Sequence, residues 1–336
     1  MVKQITFVIA GLLLFFSDVA FAQDPEFTQF YANPLYLNPA FAGSVRCPRF
    51  VLNYRNQWPG LPHDNTHPTQ SQPYVTYSAS YDQQVNAISG GLGLLVMSDN
   101  TATLKTSNIS GIYSYQVNVN RTFSIKVGFQ GTYMQKSLDW SKLSFGDQID
   151  PKKGFIWNTG EAVGDDKRGY FDASTGILGF SKKFFVGFAV HHLTEPNESL
   201  RAGAESKLPR KYTGHLGLII RTGQRGHETF ISPNILYQQQ EKFKQLNLGL
   251  YLNKGPIVAG LWARTGGKDN SNSIFNTDSF IALIGFQQGL YKFGYSYDIT
   301  ISQLKNTKGS HEISFALRLD CKQKPQKFRT ISCPSF

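Results

Sequence analysis

The sequence is poor in charge, in cysteine and in long hydrophobic runs. Asp, Glu, Lys and Arg make up 17% of the 336 residues, and there are three cysteines and three methionines. Beyond residue 24 no apolar run approaches the roughly 18 residues of a transmembrane helix, which excludes a helical membrane bundle. The composition also excludes a coiled coil and a disordered chain. Abundant aromatics (14%) and 31 glycines instead indicate a β-protein, either a sandwich or a closed barrel.

The first 22 residues have the pattern of a secretory signal peptide. Lys3 provides the positive start, residues 5–16 are apolar, and Ala20-Phe21-Ala22 is a cleavage site. A membrane anchor would need a longer apolar stretch, and a lipoprotein would need a cysteine where Gln23 stands. We therefore expect an exported chain.

Alternation with a period of two runs through the sequence from residue 73 onward. Between residues 122 and 135, Ile125, Val127 and Phe129 lie on one face, while Lys126 and Gln130 lie on the other. Fourteen strands are predicted, at 48–57, 73–83, 88–98, 107–118, 122–135, 169–180, 184–193, 212–222, 228–238, 244–253, 257–265, 278–287, 290–299 and 310–320. Most have the 9–11 residues with which a tilted strand crosses a bilayer. We expect the apolar face to contact lipid and the polar face to line the lumen.

The connections favour a barrel over a sandwich. Alternate links are short (84–87, 119–121, 181–183, 223–227, 254–256, 288–289), and the others are mostly longer (58–72, 99–106, 136–168, 194–211, 266–277, 300–309). Short periplasmic turns and long outer loops are typical of outer-membrane barrels with even strand numbers. The prediction is an all-β, transmembrane antiparallel barrel of about 14 strands with both chain ends in the periplasm.

The net charge of +11 does not indicate a nucleic-acid partner, because an exported barrel does not meet genomic DNA. Lys and Arg on such a surface suit the phosphates of outer-membrane lipopolysaccharide. The longest outer loop, 136–168, mixes both charge signs and carries Trp140 and Trp157, which predicts a folded lid or partner surface, with a flexible loop as the alternative.

Catalytic and metal-binding motifs are few. His63, Asp64 and His67 have a spacing that suits a metal on a helix, but prolines flank them, so we expect a solvated loop. His191 and His192 are adjacent and would point to opposite faces of a strand. There is no G-x-S-x-G motif. We expect no enzyme, no cofactor and no metal.

The segment after the signal peptide, here called the lead-in (residues 23–46), reads QDPEFTQFYANPLYLNPAFAGSV through residue 45. Its Asn-Pro pairs mark turns, which predicts an ordered segment that is not a strand. With YRNQWPGLP from Tyr54, TYSASYDQ from Thr76, GGLGLLVMSDN from Gly90, SIKVGFQGTYMQKSLDWSKLSFGDQID from Ser124 and the terminal CPSF, the chain resembles the PorP/SprF family of Bacteroidetes outer-membrane proteins over nearly its whole mature length.

This resemblance implies a barrel of the fatty-acid-transporter type that works with the type IX secretion and gliding machinery. One branch of the family partners a large secreted adhesin and is needed for its export and attachment. The other joins the envelope-spanning complex and contacts periplasmic components. The family implies no catalytic residues. The alternative function for such a barrel is a diffusion channel or a hydrophobic-solute transporter, because fourteen strands leave a lumen that is either plugged or open.

The domain prediction is a signal peptide (1–22), a periplasmic or plug lead-in (23–46), a barrel (47–320) and a basic periplasmic tail (321–336). In the lead-in, partner contacts are predicted for Asn33, Pro34, Asn38 and Pro39, with simple plugging of the barrel mouth as the alternative. In the tail, the predicted docking residues are Lys322, Lys324, Lys327, Arg329 and Phe336, with a disordered solvated tail as the alternative.

The three cysteines become eligible for oxidation on export, and one is left over. Cys47 opens the first predicted strand and Cys321 follows the last, which barrel closure makes neighbours, while Cys333 lies on the tail. We expect Cys47 at the periplasmic rim, paired with one of the C-terminal cysteines. The sequence leaves all three pairings open.

Overall fold

The computed structural model describes residues 24–45, 47–61, 74–143, 145–150, 152–161, 164–201, 203–222, 229–268, 277–301 and 307–320. The predicted signal peptide and the predicted tail lie outside these ranges. No helix among the described residues is long and apolar enough to cross a membrane.

The chain forms a closed antiparallel barrel in which each strand pairs with its neighbours in sequence. The last strand pairs with the first, Arg318 opposite Arg49, which closes the ring. The fourteen strands are β1 Arg49–Gln57, β2 Tyr74–Val85, β3 Gly90–Thr101, β4 Leu104–Asn118, β5 Ser124–Leu138, β6 Lys167–Phe180, β7 Phe184–His191, β8 Lys211–Leu218 (continued by Ile220–Arg221), β9 Thr229–Gln240, β10 Phe243–Lys254, β11 Ile257–Lys268, β12 Thr277–Gln288, β13 Tyr291–Thr300 and β14 Ser310–Arg318. The predicted fold class and strand number are confirmed.

The predicted faces of the strands are also confirmed. On β5, Phe129 is 56% exposed on the outside, while Lys126 on the inner face is fully buried. The outer face carries the exposed large apolar residues of nearly every strand, such as Leu248, Leu250 and Leu252 on β10. The inner polar residues are buried because the lead-in lies inside the lumen.

One end of the barrel, here called the short-turn end, has tight links such as 181–183, 255–256 and 289–290. The other, the long-loop end, carries most of the long links. The predicted long link at 99–106 was wrong, because β3 and β4 stay paired up to Thr101 and Leu104 and only Ala102 and Thr103 form the turn. The polar residues at 99–106 are typical of a loop, but in the structure most of them are paired between β3 and β4, beyond the part of these strands that has an apolar outer face.

The longest link, between β5 and β6, contains local structure. Asp139 caps a turn at Trp140–Lys142, and a two-residue hairpin pairs Ile149–Asp150 with Gly154–Phe155. Trp140 is half-buried and donates from Nε1 to the Asp165 carbonyl at 3.3 Å, whereas Trp157 is 52% exposed. This link presents one fixed and one exposed indole at the long-loop end.

The lead-in is ordered and is not a strand, as predicted. Short helical turns span Phe30–Ala32, Pro34–Leu37 and Pro39–Phe41. Two of these begin at the prolines of the Asn-Pro pairs, since proline has a backbone φ suited to the first helical position. Asn38 also caps the third turn by accepting from the Ala40 amide at 2.9 Å.

The lead-in runs along the inside of the barrel from one end to the other. Asp24 contacts His192 and Lys211 at the long-loop end, and Gly43 contacts Asp82 at the short-turn end. Asp24 therefore lies at the opposite end from Asp320, and the expectation that both chain ends share one side does not hold for Asp24. An even strand count fixes where the strand array starts and stops, but not the path of a segment that returns through the lumen.

Candidate functional site

The centre of the lumen is occupied by contacts between the lead-in and a buried carboxylate. Glu312 of β14 is fully buried. Its Oε2 accepts from the Thr28 amide at 2.6 Å and the Thr28 hydroxyl at 2.9 Å, and its Oε1 accepts from the Gln29 amide at 3.1 Å. An ionised carboxylate only accepts hydrogen bonds, so it suits a segment whose amides are outside the strand ladder. The lead-in backbone is thus bonded to the barrel wall.

Two arginines balance the buried acids around this contact. Arg55 Nη1 lies 3.3 Å from Glu312 Oε2, and Arg55 Nη2 lies 3.0 Å from Asp298 Oδ2. Arg264 Nη1 approaches the same Asp298 oxygen at 3.4 Å. Removing one partner of a buried ion pair typically costs about 3–5 kcal/mol. The network therefore constrains β1, β11, β13, β14 and the lead-in together.

An apolar core fills the lumen on one side of the lead-in. The Phe30 ring meets Trp262 edge-on with centroids 5.0 Å apart, and Tyr31 meets Phe185 in the same way at 5.4 Å. The barrel contributes inward-facing Leu178, Phe180, Phe185, Leu236, Tyr251, Trp262, Ile281 and Leu283. A water-filled lumen is polar, so these inward residues depart from the simple alternation. They are explained by the segment that covers them.

The four lead-in residues predicted to contact a partner are buried inside the barrel. Asn33 donates from Nδ2 to Ser78 Oγ at 2.9 Å, and Asn38 donates to the Ile177 and Phe188 carbonyls at 3.2 and 3.3 Å. Pro34 and Pro39 are buried at the starts of their turns. These side chains bind the wall of their own barrel, and contact with a partner protein stays a prediction.

Glycines on the inner wall make room for the lead-in where it passes closest. A Cβ at Gly128 would lie 2.3 Å from Ala40 N, one at Gly91 would lie 2.2 Å from the Ala42 carbonyl oxygen, and one at Gly176 would lie 2.1 Å from Asn38 Oδ1. Gly91 belongs to the GGLG run of β3, where glycine permits this close approach of another backbone. Gly128 and Gly176 were not singled out in the sequence.

At the short-turn end, charged groups bind the last turn of the lead-in. Asp82 Oδ2 accepts from the Gly43 amide at 2.9 Å, and Asp82 Oδ1 pairs with Arg49 Nε at 2.8 Å. Lys126, fully buried, donates to the Ala42 carbonyl at 2.5 Å. The sequence placed Lys126 in the lumen but did not show its partner, since the lead-in lies 84 positions away.

At the long-loop end, a histidine holds the start of the lead-in. His192 lies 2.8 Å from Asp24 through Nε2 and 2.7 Å from Asp172 through Nδ1. Burial alone would lower the pKa of His192, but the two carboxylates raise it to about 10. Burial opposes ionisation of Asp24, yet the His192 and Lys211 cations lower the pKa of Asp24 below its usual range. The start of the lead-in is therefore clamped by charge at neutral pH.

Two cavities flank this clamp at the long-loop end. One, of about 300 Å³, is lined by apolar Leu95, Met97 and Met134 and by the Lys136–Glu198 pair. The other, of about 360 Å³, lies over the arginine network. Asp24 and Pro25 line both cavities, so the first described residues of the lead-in lie where the two adjoin.

Cys47 is disulfide-bonded, just before β1 at the short-turn end. The C-terminal cysteines predicted as its partner, Cys321 and Cys333, both lie outside the described residues. The tail residues Lys322, Lys324, Lys327, Arg329 and Phe336 also lie outside, as do His63, Asp64 and His67. Within the described ranges no group of three or more His, Cys, Asp or Glu is placed to hold a metal ion.

A sequence profile described as type IX secretion system membrane protein PorP/SprF matches residues 19–317. No curated relative matches the sequence. Similar solved structures include the CymD monoaromatic hydrocarbon channel (11% identity, 87% of this chain and 94% of that chain, TM-score 0.48). They also include the TodX deltaS2S3 mutant monoaromatic hydrocarbon channel (9%, 85% and 94%, 0.47) and a Pseudomonas aeruginosa FadL homologue (14%, 83% and 91%, 0.41).

Proposed function

Because the chain belongs to the PorP/SprF family of type IX secretion system membrane proteins, we propose that it is a non-enzymatic outer-membrane partner of that machinery, assisting export or surface attachment of a large secreted adhesin. The observation that carries the proposal is the filled lumen. The lead-in occupies the path that a solute would take, and residues 27–35 are all buried. Because the lead-in fills the interior of the barrel, partners would bind at the outer surfaces of the barrel.

A diffusion channel or hydrophobic-solute transporter is the competing function. It requires the lead-in to leave, which would break the Glu312 contacts, uncover the aromatic core and separate Asp24 from His192. The three kinds of contact lie at the middle and at one end of the lumen, so no small shift of the lead-in opens a continuous path. This favours the secretion partner.

We propose that the short-turn end faces the periplasm and the long-loop end faces outward, as in other barrels with this loop asymmetry. On the outer side, exposed Trp157 is a contact for the adhesin or its C-terminal secretion domain. On the periplasmic side, the basic tail docks on other secretion components. Lipopolysaccharide phosphates would meet the remaining surface cations.

The test is a strain that lacks this protein, complemented with wild type, with a deletion of residues 322–336, or with Trp157→Ala. Surface adhesin is measured by immunoblot of intact cells, with the barrel quantified in outer membranes. Leu193→Ala, which removes another exposed apolar side chain at the long-loop end, is the matched control. We expect surface adhesin to fall in the null strain, in the deletion of residues 322–336 and in Trp157→Ala, but not in Leu193→Ala. Unchanged adhesin in the null strain would overturn the proposal.

A further inference from the structure

The 360 Å³ cavity at the long-loop end has more acids than cations in its lining. The charged groups are five carboxylates and two guanidinium groups, which belong to Asp24, Glu26, Asp99, Asp278, Asp298, Arg55 and Arg264. The volume of the cavity is within the range of small-molecule sites. Which class of ligand it suits depends on the charges that remain after the ion pairs within the protein are taken into account.

The cations of the lining are already paired. At the base of the cavity Arg55 bonds to Asp298 and Glu312, and Arg264 bonds to the same Asp298. Two arginines thus face two carboxylates, and the base is neutral. Asp24 is balanced by the cations of the clamp described above. Neither the base nor the clamp has a charge left over for a ligand.

Three carboxylates of the lining have no cation partner among the described residues. They belong to Glu26 on the lead-in, Asp99 on β3 and Asp278 on β12. All three side chains are half-buried, and the carboxylate oxygens of Glu26 and Asp278 are accessible and make no hydrogen bond within the described chain. Asp99 is fixed by the Thr76 and Thr101 hydroxyls, which donate to its two oxygens at 2.6 and 2.9 Å. Because a carboxylate can accept about four hydrogen bonds, each acid has capacity left for a donor.

Aromatic side chains are the second feature of the lining. Trp58 follows β1, Tyr74 begins β2 and Phe243 begins β10, and all three line the cavity. The Trp58 ring meets Tyr74 edge-on with centroids 5.4 Å apart, and the Trp58 amide donates to the Gly309 carbonyl at 2.9 Å. Aromatic rings attract organic cations, tryptophan most strongly. They also offer an apolar contact to the carbon stem that carries the charge.

We infer that this cavity binds an organic cation, an ammonium or guanidinium group on an apolar stem, either as a free small molecule or as a side chain of a peptide. The cationic head donates to carboxylates of the unpaired set, the others contribute their negative field, and the stem packs on the rings. A neutral or anionic ligand would leave Glu26, Asp99 and Asp278 without a counter-charge. A bare metal ion is far smaller than the cavity, and within the described ranges no three acids are placed to hold one.

The inference is tested by isothermal titration of the purified full-length protein in nanodiscs of phosphatidylcholine, a lipid without net charge. The probes are butylguanidinium, butylammonium and the peptide acetyl-Gly-Gly-Arg-Gly-Gly-amide, whose only charge is its arginine. Butylurea is the neutral isostere of butylguanidinium, and the same peptide with citrulline is the neutral control. We expect saturable binding of at least one cation, with its neutral counterpart weaker by about tenfold or more.

The results of this titration distinguish the sources of the ligand. Binding of butylguanidinium or butylammonium identifies a free cation as sufficient, and binding of the arginine peptide alone identifies a side chain within a peptide. Calcium chloride is titrated in parallel. Binding of calcium but of no organic cation, equal binding of butylurea and butylguanidinium, or no binding at all overturns the inference.

Glu26→Gln and Asp278→Asn each remove one charge while keeping the shape of the side chain. Each should weaken binding of the cation by about fivefold, the effect of one partly exposed ion pair. Glu205→Gln is the matched control, because Glu205 is an exposed acid at the long-loop end that does not line this cavity. Phe243→Leu keeps an apolar side chain without a ring and should weaken binding about two- to fivefold. Affinities in both Glu26→Gln and Asp278→Asn equal to that of Glu205→Gln would overturn the site.

Discussion

Alanine at Gly128 should loosen the lead-in while the barrel remains assembled. The added Cβ would lie 2.3 Å from Ala40 N and Pro39 C, whereas ordinary contact begins near 3.4 Å. The neighbouring atoms belong to the backbone of a buried turn, so the turn must move by about 1 Å. Overpacking of this kind typically costs about 1–3 kcal/mol. At equilibrium, the fraction of molecules in which the lead-in is displaced from the wall therefore increases about 5- to 150-fold.

The matched control lies on the same strand. A Cβ at Gly131, which faces outward, meets nothing within 4 Å, so Gly131→Ala changes the same chemistry without touching the lead-in. Both variants should yield normal amounts of folded barrel in outer membranes, since neither glycine has a positive φ.

Hydrogen exchange with mass spectrometry reads the effect directly. The amides of Asn38, Phe41 and Ala42 are protected by hydrogen bonds within the lead-in turns. Their exchange through local opening should accelerate about 5- to 150-fold in Gly128→Ala and stay at the wild-type rate in Gly131→Ala. If the two variants exchange these amides at the same rate, the lead-in does not pack on β5 as described.

Three further predictions concern the lipid face, the disulfide and pH. Phe129→Arg, on the outer face, should lower folding stability by about 2–4 kcal/mol, while Gln130→Arg, on the inner face, should cost much less; comparable losses of folded barrel in both would contradict the register. Cys47 should resist alkylation in oxidised membranes and react after reduction; a freely reactive thiol before reduction would refute its pairing. The pKa of His192 is raised to about 10, so its stabilisation of the lead-in is complete below its ordinary pKa near 6.5 and is lost as pH rises through about 10. Protease cleavage near Asp24 should therefore increase between pH 8 and 10.5 in wild type and show no such rise in His192→Gln, and a flat wild-type profile would contradict the clamp.

The strand array could be predicted from the sequence because each strand carries its own information. On β5 the alternation from Ile125 to Gln130 indicates which face meets lipid. The same signal recurs along the chain from residue 73 onward, so small errors at strand ends do not change the topology. The error at residues 99–106 arose where polar residues continue a strand beyond the apolar band. Composition there does not distinguish a ladder from a loop.

The path of the lead-in could not be predicted, because it depends on contacts between residues far apart in sequence. Thr28 and Glu312 are 284 positions apart, and nothing local to either one shows the contact. The signals that could have indicated it are inward-facing charges, such as Arg55 and Glu312, and inward-facing rings such as Trp262. The rings are out of place in an open, polar lumen and indicate a segment that covers them, whereas inward charges are compatible with an open lumen as well as a filled one.

Planar-bilayer conductance tests most directly whether this family member is a plugged partner or a pore. The purified full-length barrel should give no stable current steps, whereas a variant lacking residues 24–44, refolded with the same β-content by circular dichroism, should give large and lasting ones. The account would be contradicted if the intact protein, without any partner, carried a stable open-state current equal to that of the variant without its lead-in.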